Sequence, residues 1–199
     1  RRASPRTRIA SDSPLALTTS GTPGTAWVNV TGNLAGMGSM CGQTQVVSAV
    51  PNSNAIITGV ATKGLWTSSV DGTWTQLGQG AGSELVDNIA LFFTFDPNNP
   101  NVYWENGIYG GGGAVYKTTN GGNTFTRLGS INHSDFASID FTDQNRQTLL
   151  AGRHEGMQDV QKSINGGQTW TNIGSNLPAG TGFSTYPLVI NAQTFLVNT

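Results

Sequence analysis

The sequence predicts an all-β fold made of four-stranded antiparallel β-propeller blades, about three whole blades and two half blades, and three observations predict it. A short segment ending in an aromatic residue recurs along the chain. The recurrence is regular: the aromatics stand at Trp27, Trp74, Phe125 and Trp170, at intervals of 47, 51 and 45 residues, and one four-stranded blade takes about 40 to 50 residues. Between them, short apolar and β-branched runs alternate with turn residues, and helical periodicity is absent.

The elements follow in chain order. Residues 1–14 hold Arg1, Arg2, Arg6 and Arg8 beside Ser4 and Pro5, a composition suited to a disordered or processing arm. Residues 15–199 form the repeat domain. Residues 15–32 read as strand c, a degenerate turn running from Thr18-Thr19-Ser20-Gly21 to Ala26-Trp27, and strand d with Val28-Asn29-Val30. Strands a and b of the first whole blade, Thr44 to Val50 and Asn54 to Gly59, are parted by Pro51-Asn52-Ser53. Ile89 to Phe95 and Val102 to Trp104 repeat this around Asp96 to Pro100, as do Phe136 to Phe141 and Gln147 to Ala151 around Thr142 to Asn145. Each pair meets a third strand, Gly64 to Thr67, Ala114 to Thr118 and Asp159 to Ser163, and the recurring segment then makes the turn into strand d. Ser184 to Ile190 and Gln193 to Val197 read as strands a and b of a last half blade. Blades are wedges, and four of normal width would close a strained ring. The expectation is therefore a larger ring, completed by a second copy, another chain or further sequence, because an open arc exposes the apolar flanks of its end blades.

The recurring segments are Thr67-Ser68-Ser69-Val70-Asp71-Gly72-Thr73-Trp74, Thr118-Thr119-Asn120-Gly121-Gly122-Asn123-Thr124-Phe125 and Ser163-Ile164-Asn165-Gly166-Gly167-Gln168-Thr169-Trp170. Asp71, Asn120 and Asn165 are placed to tie backbone N–H groups of the turn, as Asx side chains do. Gly122 and Gly167 supply the positive φ that such a hairpin needs. The aromatics Trp74, Phe125 and Trp170 are expected in equivalent buried positions on strand d.

These segments resemble the Asp-box (BNR-type) repeat, S/T-x-D-x-G-x-T-W, over roughly residues 15 to 199. The resemblance implies the propeller superfamily that includes sialidases, xyloglucanase-type glycoside hydrolases and sortilin-like ectodomains. Phe95-Asp96-Pro97-Asn98-Asn99-Pro100-Asn101-Val102-Tyr103, with its following Gly-rich loop, is most similar to the xyloglucanase type and related secreted repeat proteins. A sialidase site needs an arginine cluster, and beyond the basic arm only Arg127, Arg146 and Arg153 remain. A xyloglucanase-type hydrolase needs two carboxylates across a wide cleft.

Composition narrows the partners. Net charge is -1, with 11% charged residues, which excludes a general nucleic-acid surface. Cys41 is the one cysteine, so no intrachain disulfide forms, and no Cys/His spacing suggests a metal or cofactor site. No apolar stretch is long enough for a membrane span, and Arg1 to Ser20 lacks the apolar core of a signal peptide. An extracellular, already processed chain is expected. Asn29-Val30-Thr31 and Asn132-His133-Ser134 are sequons.

In such a blade the d–a and b–c loops emerge on the face opposite the repeat turns. This selects loops 33–44, 79–88, 104–113, 129–136 and 152–158 as a functional rim. Within it, Trp104, Asn106 and Tyr109 are the expected sugar contacts, one pair stacking and the amide bonding hydroxyls. Arg153 and His154 add a donor and an imidazole, and His133 lies nearby. Glu105, Glu155 and Asp87 are the candidate catalytic carboxylates. The functional expectation is a secreted, carbohydrate-directed propeller, a glycoside hydrolase or a piece of one. The alternatives are a non-catalytic interaction scaffold and a self-assembling structural repeat protein.

Overall fold

A computed structural model describes residues 29–40, 44–69, 72–111, 113–182 and 185–198. The expected arm, Trp27 with its degenerate turn, Cys41 and Asp71 lie outside the described residues. The described chain is all-β. Its only helical pieces are single 3-10 turns such as Gly32–Leu34 and Gly174–Asn176.

Three blades follow one another. The first comprises β1 (Thr44–Ala49), β2 (Ile56–Val60), β3 (Gly64–Ser68) and β4 (Thr75–Gln76). The second comprises β5 (Ile89–Asp96), β6 (Asn99–Ile108), β7 (Ala114–Thr118) and β8 (Thr126–Arg127). The third comprises β9 (Ser134–Ile139), β10 (Leu149–Arg153), β11 (Val160–Ser163) and β12 (Thr171–Asn172). Each is an antiparallel sheet whose strands pair in chain order, and a hairpin of β13 (Pro187–Asn191) and β14 (Thr194–Val197) makes a final half blade. The outermost strands run one residue past their ladders. The N–H groups of Leu77, Leu128 and Ile173 donate to the carbonyls of Leu65, Val115 and Val160, each at 2.8 Å.

The blades stack through the two faces that strand pleating creates. On β6, Tyr103 turns toward the first blade and packs with Ile57, Leu65, Phe93 and Phe125. Its neighbour Trp104 turns toward the third blade and packs with Leu128, Ala137 and Leu149. Beyond the third blade, Leu150 and Val160 meet Val189 of the half blade.

The Asn120 and Asn165 turns are the same structure built twice. Asn120 Oδ1 accepts from the Thr124 N–H and the Thr118 hydroxyl, both at 3.0 Å, while Thr118 Oγ1 accepts from Gly122 N–H at 3.0 Å. Asn165 repeats this with Thr169 N–H (3.0 Å) and Ser163 Oγ (2.9 Å), and Ser163 Oγ accepts from Gly167 N–H at 2.8 Å. Gly122 and Gly167 sit at φ 89° and 91°. A Cβ at Gly122 would lie 2.4 Å from the Tyr103 hydroxyl, and one at Gly167 would lie 2.7 Å from Leu128. Conformation and close approach therefore both demand glycine.

Each turn delivers its aromatic onto the preceding blade. Trp170 Nε1–H donates to Leu128 O at 3.0 Å, and Trp74 Nε1–H donates to Val30 O at 3.0 Å. Val30 thus stands to Trp74 as Leu128 stands to Trp170, the place that the sequence repeat gives it as the end of strand d. The aromatics are not equally buried. Trp74 and Phe125 are inside the core, whereas Trp170 is only half-buried. The segment between β4 and β5, residues 77–88, is long enough to fold over Phe125, with Ser83 Oγ accepting the Phe125 N–H at 3.0 Å. Asn33 does the same for Trp74 N–H at 2.8 Å. The shorter connection at 128–133 covers less of Trp170.

A second clamp joins the same end of the second and third blades. Arg146 grips Asp96 with Nε–Oδ2 at 2.8 Å and Nη2–Oδ1 at 3.0 Å, both side chains being buried. The guanidinium holds the Asp96 carboxyl below its usual range.

Two expectations change here. The loop expected at 104–113 begins only after Ile108, because β6 continues through Trp104, Glu105 and Asn106. The rim loop expected at 129–136 ends at 133, where β9 begins. Phe125→Ala is expected to cost about 3–5 kcal/mol in denaturant unfolding, and Trp170→Ala about half as much because its ring is already partly wet. Equal losses would show that the difference in cover has no energetic weight.

Candidate functional site

On the face opposite the repeat turns, three strand ends meet: the end of β6, the start of β9 and the end of β10. Asp135, the second residue of β9, is buried and fixed by the sheet. Its Oδ1 lies 2.8 Å from His154 Nδ1, just past β10. A carboxylate accepts, so Nδ1 carries a proton and Nε2 faces outward. There it meets the Tyr109 hydroxyl at 3.1 Å, one residue beyond β6. Tyr109 also reaches Glu155 Oε1 at 3.3 Å, and that oxygen stands 3.8 Å from His154 Nε2.

The rings are held from the sides as well. His133 and His154 both meet Tyr109 edge to face, with centroids 5.1 and 5.5 Å away. The His133 carbonyl accepts the His154 backbone N–H at 2.6 Å. Tyr109, His133 and Glu155 all have left-handed backbones, at φ 52°, 48° and 59°. Such conformations in side-chain-bearing residues are uncommon and cluster at functional sites.

Arg153 is committed beside them. It bonds Asp159 Oδ2 at 3.0 Å, Asn132 O at 3.3 Å and Asn132 Oδ1 at 2.7 Å. The sequon residue Asn132 therefore anchors an arginine in this structure. Asp87 ties the Gly-rich loop by accepting the Gly111 N–H on Oδ1 at 3.1 Å.

Of the residues expected here, the structure brings together Tyr109, Arg153, His154 and Glu155. It does not bring Trp104, Glu105 or Asn106 to the surface, since they are 1%, 0% and 1% exposed. Trp104 packs between blades under Lys117, whose Nζ is 5.0 Å from the ring. Asn106 Nδ2 donates to Ser134 O at 3.1 Å, and Asn88 Nδ2 donates to Glu105 Oε2 at 3.2 Å. Polar side chains with buried partners let β6 continue where the sequence reads as a loop. Asp135 lies inside the expected rim segment 129–136 but is not among the expected site residues, and it joins the site as the partner of His154.

Burial, partly offset by the Asn88 bond, pushes the Glu105 carboxyl from 4.5 to about 8. It is thus a neutral acid at neutral pH. Unfolded, it ionises at its ordinary value, so its contribution to stability is full below pH 4.5 and is lost as the pH rises to 8. The chain is expected to melt at a lower temperature at pH 8 than at pH 5, and Glu105→Gln to reduce that difference. An undiminished difference in the variant would assign the slope to other groups.

A hollow of about 560 Å³ lies elsewhere, against the first blade, lined by Val30, Leu34, Met37, Val47, Val60 and Trp74. Among the described residues none of its lining side chains is titratable. Among the described residues, no group of three or more His, Cys, Asp or Glu is placed to hold a metal ion, and no helix is long and apolar enough to cross a membrane.

No family model and no curated protein matches the chain. Solved structures do match. A GH74 enzyme from Niastella koreensis is similar over 73% of this chain and 24% of its own, at 20% identity and a TM-score of 0.52. The GH74 xyloglucanase from Xanthomonas campestris matches over 67% of this chain and 21% of its own, at 20% identity and a TM-score of 0.48. An ancestral GH74 enzyme matches over 65% and 18%, at 22% identity and a TM-score of 0.49. The chain thus spans about a quarter or less of the length of these proteins. At such identity the likeness to the Niastella koreensis enzyme is one of fold. The described chain is an arc of β-propeller blades.

Proposed function

We propose that this chain is a segment of an extracellular, carbohydrate-directed Asp-box propeller related to glycoside hydrolases. The observation that carries the reading is the rim cluster, where Tyr109, His154 and Glu155 from two blades present a ring, an imidazole and a carboxylate on one face. An aromatic face beside hydrogen-bonding groups suits a sugar ring and its hydroxyls. The fold likeness to the GH74 enzyme from Niastella koreensis supports a carbohydrate as the ligand class. The twin Asn120 and Asn165 turns support the Asp-box assignment. Glu155 is the candidate carboxylate that remains exposed, at 49% of its side chain. Catalysis of the two-carboxylate kind needs a second acid placed across a cleft from it.

Calorimetry against a panel of neutral oligosaccharides, with a parallel assay for new reducing ends, tests the reading. Tyr109→Ala is expected to weaken binding about tenfold, the ~1.4 kcal/mol of one aromatic contact, with little change in melting temperature. If no oligosaccharide binds, or if binding survives the substitution, the rim is not the sugar site.

A second reading rests on exposed apolar side chains of the first blade and of the half blade. Val47 on the first blade and Leu188, Ile190 and Leu196 on the half blade are exposed, on sheets of the kind that pack against each other inside the arc. We infer that a second copy of this chain covers them. Light scattering on the purified chain is expected to give at least twice the 20.9 kDa chain mass; a monomer at working concentration overturns it.

A further inference from the structure

We propose that Tyr109 is a nucleophilic phenol whose proton is taken by His154, with Asp135 holding the imidazole, and that this cluster transfers acyl groups from uncharged sugar esters. The arrangement has the three parts that activate a hydroxyl: nucleophile, base and an anchor for the base. Tyr109 Oη is 3.1 Å from His154 Nε2, and His154 Nδ1 is 2.8 Å from Asp135 Oδ1. The anchor is rigid because Asp135 is buried within β9. Its other oxygen, Oδ2, is buried with no hydrogen-bond partner among the described residues, so the imidazole is the bond that compensates this carboxylate. Glu155 Oε1, 3.8 Å from Nε2, gives the ring a second anion when it gains the proton.

The surroundings select the substrate. Asp87, Asp135, Glu155 and Asp159 face or flank the cluster, and the nearby cation Arg153 is held by Asp159 and Asn132. An anionic substrate would meet net negative charge, so an uncharged ester is the electrophile that fits.

The step balances without a cofactor. Tyr109 Oη bonds to the acyl carbon while its proton passes to His154 Nε2. The bond from that carbon to the sugar oxygen breaks, and the departing oxygen takes the proton from Nε2. Water then gives a proton to Nε2 and attacks the acyl carbon. The carboxylic acid leaves and the phenol regains its proton, so an ester and water become an acid and an alcohol.

This rests on the carbohydrate reading only for the alcohol part of the ester. The test therefore uses 4-nitrophenyl acetate with the whole chain. Expected is a burst of one equivalent of 4-nitrophenolate, with the acetyl group located on Tyr109 by peptide mass. His154→Gln and Asp135→Asn should each slow the burst on the order of 100-fold, and Tyr109→Phe should abolish it, with melting curves confirming the fold. Two conservative variants keep the test decisive if one fails to fold. An absent burst, acetyl on the more exposed Tyr186 instead, or an unchanged rate in His154→Gln overturns the proposal. If Tyr109 is acetylated at a His154-dependent rate but no oligosaccharide binds, the phenol is activated and the sugar assignment falls. If an oligosaccharide binds but Tyr109 stays unmodified, the relay is overturned and the carbohydrate reading stands.

Discussion

The contact between each turn's aromatic and the strand end of the blade before it governs this molecule. A four-stranded sheet of this size leaves two apolar faces and cannot hide both by itself. The turn solves this by carrying a ring past its own sheet. Trp170 lands on Leu128, Phe125 on Leu77 and Gly78, and Trp74 on Val30. The contact tolerates no bulk beneath it, which is why the turn glycines press against the neighbouring blade.

The Asp96–Arg146 pair works at the same end and in the same sense. Taking two charges out of water costs much of what their attraction returns, so its net contribution to stability is small. Breaking it is another matter, because one buried charge is left without its partner. The pair joins the a–b turns of the second and third blades. With one end locked in these two ways, the opposite end is where loops can differ from blade to blade.

That opposite end gathers residues distant in the chain. Tyr109 and His154 are 45 positions apart, close to one repeat length, and His154 and Asp135 are 19 apart. The juxtaposition arises because β9, strand a of the third blade, packs against β6 on one side and pairs with β10 on the other. Strained backbones at Tyr109, His133 and Glu155 aim the side chains into one another. Lone loop residues at these positions would relax out of such conformations, so the surrounding contacts must hold them there.

Much of the architecture was legible because it is local and repeated. Turn chemistry at Asn120 and Asn165, aromatic spacing and strand alternation are each written within a dozen residues, and repetition separates them from chance. Of the first half blade only residues 29–32 are described, and there Val30 accepts from Trp74 as Leu128 accepts from Trp170. The site was legible only in part. Tyr109, Arg153, His154 and Glu155 could be placed together on the face opposite the repeat turns because loop direction follows from strand order. Trp104, Glu105 and Asn106 misled because a polar run beside glycines looks like a loop. Asn88 and Ser134, the buried partners of Glu105 and Asn106, come from elsewhere in the chain, and only packing reveals them. Asp135 was invisible as an anchor for the same reason. By itself the sequence determined the blades, because hydrogen bonding and side-chain alternation within a blade are short-range. Tertiary structure alone decided which polar groups are buried and which converge, because that depends on one blade pressing against the next.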